Sequence, residues 1–94
     1  MNRLVLSATL AERAALRYTP AGLPALDLTL AHDSEVMHEG QVRKVSMSLK
    51  ALAVGSTVAA VSPLALGSAA RFEGFLAPAR NGRGLLFHVT EVRA

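Results

Sequence analysis

The chain has no cysteine and no tryptophan. Without cysteine there are no disulfides, no thiolate metal sites and no Cys-His nucleophile. Aromatic residues make up 4% of the sequence, three Phe and one Tyr, so few rings are available for stacking. No stretch reaches the roughly 18 apolar residues of a membrane-spanning helix. No serine stands in a G-x-S-x-G elbow. The glycine-rich "NGRG" lacks the spacing of a phosphate-binding loop. The carboxylates Glu12, Asp27, Asp33, Glu35, Glu39, Glu73 and Glu91 are scattered along the chain. Nothing here assembles a catalytic constellation, so no enzyme and no cofactor are expected.

What the sequence does contain is 51% apolar residues and a modest excess of positive charge. Eight arginines and two lysines give a formal net charge of +3. The pI is about 10.2. Such an excess suits a polyanionic partner without demanding one. Ninety-four residues read as one domain, 1–94. A chain of this size buries a limited share of its surface and gains from self-association. The opening "MNRLVLSATLAERAAL" has the basic start of a signal peptide. Ser7 and Thr9 interrupt its apolar stretch, and Glu12 and Arg13 end it. It reads as a strand, and a cytoplasmic location without membrane attachment is expected.

Alternation defines the elements. Leu4, Leu6, Ala8 and Leu10 fall on one face of a first strand. "TPAG", Thr19 to Gly22, has proline and glycine where a type I turn prefers them. Leu26, Leu28 and Leu30 then alternate with Asp27, Thr29 and Ala31 in a second strand. The polar stretch "HDSEVMHEG", residues 32–40, reads as a mobile hairpin loop. Residues 41–50 form a third strand, with Val45, Met47 and Leu49 on one face and Lys44, Ser46, Ser48 and Lys50 on the other. Residues 51–67 suit either a strand or a short helix capped by Ser56 and running through Val61. "SAARFEGFLAP" is a fourth strand, with Gly74 marking a bulge or sharp bend. "PARNGRG" holds an Asn-Gly hairpin turn, both residues tolerating positive φ. "LLFHVTEV" completes the count as a fifth strand.

Five strands interrupted between the third and fourth describe an all-β, five-stranded Greek-key barrel of the OB type. An SH3-like barrel and an open meander share the same pattern.

His32, Asp33, Glu35, His38 and Glu39 are clustered, but they match no zinc spacing and read as a solvated loop. His88 reads as a structural or exposed side chain. Nucleic acid is the remaining reading. An OB barrel binds oligonucleotides on the face of its second and third strands and between two of its loops. Arg17, Lys44, Lys50, Arg80 and Arg83 fall on those elements, with Arg43 beside them. Each alone is as readily an ordinary solvated charge; their grouping is the signal. Single strands also need rings to stack on. Tyr18 and an outward Phe75 are the available ones, because Phe72 and Phe87 belong to the core.

The segments "NRLVLSATL", "TPAGLPALDLTLAHDS" and "LGSAARFEGFLAPARNGRGLLFHVTEV" resemble the primosomal replication protein N (PriB) family of single-stranded DNA-binding proteins. The resemblance spans most of the chain and is poor over residues 51–65. It implies an OB-fold homodimer; pairing through the first strands, continuing the sheet across a two-fold axis, is the arrangement expected for it. That dimer would bind single-stranded DNA and the PriA helicase at stalled replication forks, and in some bacteria DnaT. By resemblance, Arg17 matches a basic residue before the first turn. Arg80, Asn81 and Arg83 lie in the family's basic loop. Two positions depart from the pattern: an arginine is replaced by Asp33, and a stacking tryptophan by Ser46. Weaker DNA binding than the full pattern would give is therefore expected. A protein-interaction adaptor and an RNA-binding barrel are the competing readings.

Overall fold

A computed structural model describes residues 1–94. The chain forms β1 (Leu4–Arg13), β2 (Arg17–Tyr18), β3 (Pro24–His38), β4 (Gln41–Val54), α1 (Ser56–Val61), β5 (Ala69–Pro78) and β6 (Leu85–Arg93). The sheet runs β1-β5-β6-β4-β3-β2, and a further β1–β3 pairing closes it. β1 serves both neighbours in turn. Leu4 to Thr9 pair with β5, and Thr9 to Arg13 pair with β3. One parallel contact, β4 with β6, completes the ring. Leaving aside the two-residue β2, this is a closed five-stranded barrel of the OB type.

The alternating leucines build its interior. Leu6, Leu10, Leu26, Leu28 and Leu30 are buried, as are Ala51 and Ala53 of β4. Phe72 and Phe87 are fully enclosed and supply the largest core side chains. Removing either ring would cost about 3–5 kcal/mol. Residues 51–67 resolve into both alternatives. Ala51 to Val54 extend β4, and Ser56 to Val61 form one short helix. That helix buries Val58 and Val61 and packs against β3, β4 and β6. Ser56 is not its cap. Gly55 holds the N-cap position at φ 70°, and no side chain caps the helix. The positive φ leaves that corner to a glycine.

The polar stretch 32–40 is not a mobile loop. β3 continues through His38, and β4 answers it residue by residue from Ala25↔Val54 to His38↔Gln41. The reversal is the two-residue turn Glu39-Gly40, with φ of 52° and 74°. Positive φ at both positions matches the right-handed twist of a hairpin. The two strands outrun the barrel as an arm, and the molecule measures 50 × 30 × 21 Å.

The "TPAG" turn forms as expected, with Gly22 N donating to Thr19 O at 2.8 Å. The β5–β6 loop reverses differently from the Asn-Gly expectation. Asn81 does not adopt positive φ; Gly82 and Gly84 do. The turn closes by Gly82 N to Ala79 O at 2.9 Å. Asn81 Oδ1 accepts a hydrogen bond from Arg83 N at 2.8 Å and stiffens the tip.

Candidate nucleic-acid interface

Every second residue of β4 points away from the barrel interior: Lys44, Ser46, Ser48, Lys50 and Leu52. The register sets their neighbours on β3. Glu35 lies opposite Lys44, Asp33 opposite Ser46, Thr29 opposite Lys50 and Asp27 opposite Leu52. Charge along this face is therefore mixed. Lys50 is anchored by donating from Nζ to Thr29 Oγ1 at 3.0 Å.

At the barrel end of this face, three separate segments meet. The "TPAG" turn folds β2 back on β3, which sets Arg17 opposite Ala25, diagonal to Asp27. The β5–β6 loop brings Arg80 and Asn81 from the other side. Together Arg17, Asp27, Lys50, Leu52, Arg80 and Asn81 line a cleft of about 340 Å³. Three cations face one carboxylate. Neither Lys50 nor Arg80 enters an ion pair; Arg17 does.

Arg17 Nε donates to Asp27 Oδ2 at 2.7 Å, and Nη2 donates to Oδ1 at 3.2 Å. This fork matches the carboxylate geometry that guanidinium groups favour. The hydrogen bond from Arg17 is the main cause that holds the Asp27 carboxyl below its ordinary value. Partial burial opposes it, and the charges of Arg17 and Arg80 assist. The same bond raises Arg17.

The other expected contacts lie outside this cleft. Arg83 follows the loop tip and does not line it. Tyr18 stands next to Arg17 and is 66% exposed. Lys44 and Ser46 sit farther out on the arm. Phe75 faces outward from β5, 39% exposed, over a neighbouring cleft. His32, Asp33, Glu35, His38 and Glu39 are spread along an extended strand, and no group of three His, Asp or Glu is placed to hold a metal.

Asp27 is the residue that the sequence reading missed at this site. It reads there as one of several solvated carboxylates. Its outward place in a strand next to Arg17 was the available signal. His88, which reads from the sequence as a structural or exposed side chain, stacks on Phe75.

The model of "another single-strand binding protein family" matches residues 2–91. The replication restart protein PriB of Bordetella pertussis is 48% identical over 80 residues, covering 85% of this chain and 75% of that protein. PriB of Nitrosomonas europaea is 31% identical over 93 residues, covering 98% and 86%. The solved PriB structure from Ralstonia solanacearum superposes with a TM-score of 0.89 at 36% identity, covering 99% of this chain and 96% of that one. The chain thus agrees with these relatives in sequence and in fold, and it belongs to the PriB replication restart family of single-strand-binding proteins.

Proposed function

We propose that this protein is a non-enzymatic single-stranded DNA-binding accessory of the replication-restart primosome, stabilising the PriA helicase on DNA. The observation that carries the reading is the cleft where Arg17, Lys50, Arg80 and Asn81 converge from three segments. Phosphate oxygens take the place that free guanidinium and ammonium donors leave open. The arginine fork suits phosphate as it suits carboxylate. The protein performs no bond chemistry; it holds the strand and presents it.

Two copies pair through β1. Leu4 to Ala8 pair only with β5, because β3 joins β1 no earlier than Thr9. One edge of that segment is therefore open to a second strand, apart from Ser7 O, which lies 2.6 Å from His32 Nδ1. DnaT is a further partner where the organism has one.

Fluorescence anisotropy of labelled oligo-dT at two salt concentrations tests the DNA reading. Phosphate contacts from the two unpaired cations, Lys50 and Arg80, predict a slope of log affinity against log salt of about −1.4, at ~0.7 per contact for single strands. A flat response would remove the mechanism. RNA of matching sequence in a parallel titration exposes an RNA-binding barrel.

The adaptor reading has its own support. Asp33 and Glu35 put negative charge along the arm. Val36, Met37, Val42 and Met47 leave apolar surface exposed there. Capture of PriA that survives nuclease treatment, beside undetectable DNA binding, would favour it.

A further inference from the structure

Phe75 and His88 are cross-strand neighbours on the outer wall of the barrel. Their rings stack at 4.8 Å between centroids, with planes 5° apart. That distance equals the spacing of adjacent strands, so both rings stand upright on the sheet like parallel plates. Leu52 of β4 lies in register with His88 on the other side. Phe75 is 39% exposed, and neither ring belongs to the core cluster. The pair is not packing for the interior.

Against these rings lies a cleft of about 190 Å³. Leu52, Val54 and Val89 line it with apolar surface, and Thr57 of α1 and Thr90 of β6 add hydroxyls. Thr90 Oγ1 donates to Glu73 O at 3.2 Å, which leaves its lone pairs as acceptors. Leu52 also lines the cationic cleft. Lys50 stands two residues from Leu52 along β4, roughly 6.6 Å away at ~3.3 Å per residue. A backbone held at Lys50 and Arg80 would thus place its neighbouring unit over the rings.

We infer that the Phe75–His88 pair is a nucleobase-stacking platform, with the adjoining cleft as a base-binding subsite and His88 as a stacking contact. The inference rests on the DNA-binding reading above. Its ligand is any unstacked base of a single strand, because every base presents a π-face. It accounts for how a chain with Ser46 in place of a ring on β4 retains base contact.

The test compares labelled oligo-dT with an abasic oligodeoxynucleotide of equal length, which keeps the phosphates and lacks the bases. The variants are His88→Leu, similar in bulk without a ring, and His88→Phe, which keeps one. Expected is a loss of about 5- to 100-fold in oligo-dT affinity for His88→Leu. Abasic binding should be unchanged, and His88→Phe should match the wild type. Equal losses on both oligonucleotides, or no loss on oligo-dT, would overturn the platform while leaving the phosphate cleft intact. Failure of the wild type to bind either oligonucleotide at low salt would overturn the DNA reading, and the platform with it.

Discussion

Arg17 and Asp27 form a two-point fork at the mouth of the cationic cleft, with N···O distances of 2.7 and 3.2 Å. The carboxylate holds the guanidinium that phosphate would otherwise engage. Any anion entering the cleft therefore competes with Asp27 for Arg17 and also meets its charge. Asp27→Asn keeps the shape and removes the charge. It should tighten oligo-dT binding by up to about fivefold, the range of an exposed ion pair. Anisotropy at low salt reads this directly. A weaker complex would mean that Asp27 acts by positioning Arg17 instead.

The same pair fixes a pH dependence. The folded Asp27 carboxyl titrates below its ordinary value, chiefly because Arg17 donates to its charged form. Its contribution to stability is present in full above the unfolded value near ~3.9 and disappears as pH falls through the lower folded value. An NMR titration of the carboxyl carbons should place Asp27 below the ordinary aspartate value. Arg17→Ala should move Asp27 upward. No movement would show that the fork does not persist in solution.

Arg80 and Arg83 belong to one loop but not to one site. Arg80 lines the cleft beside Lys50, and Arg83 does not. Arg80→Ala should weaken oligo-dT binding and flatten the salt slope by about 0.7, one phosphate contact. Arg83→Ala should change both less. Equal effects would extend the binding surface over the whole loop tip.

Asp33 and Ser46 face each other across the β3–β4 ladder. Ser46→Trp should introduce a stacking ring, worth ~1–3 kcal/mol per base. Asp33→Arg should replace repulsion of phosphate by attraction. Because the side chains are neighbours, their effects should not add. Titrations of both single variants and the double variant measure the coupling.

The barrel was legible because its interior strands have one dry face. Leu26, Leu28 and Leu30 alternate with Asp27, Thr29 and Ala31, and the same period marks β1, β5 and, at Val45, Met47 and Leu49, β4. Beyond Ala31 both faces of the arm meet solvent. A strand with two wet faces needs no hydrophobic period, and His32 to His38 have none, so they read as a loop. Only the partner strand reveals it. Gln41 to Ser48 pair with it throughout, and Glu39-Gly40 is a turn that lacks the usual Asn-Gly signature. The site was half legible for a similar reason. Cations can be counted along a chain, but convergence of Arg17, Lys50 and Arg80 depends on barrel closure. Neutralisation of Arg17 by Asp27 depends on register.

Gly74 ties the fold to the site. At this residue the β5–β6 register slips: Glu73 pairs with Glu91, but Gly74 pairs with Val89, leaving Thr90 as the extra residue. A Cβ at Gly74 would stand 1.8 Å from His88 O, a backbone atom that cannot rotate aside. β5 and β6 approach this closely only where one of them has no side chain. Gly74→Ala must push the two strands apart, at a cost of about 3 kcal/mol or more. The urea midpoint should fall with little change in slope. Because Phe75 and His88 flank this point, the variant should also disturb their stack and lose oligo-dT affinity more than abasic affinity. An unchanged midpoint would show that the barrel wall yields there, contrary to the close approach of its strands.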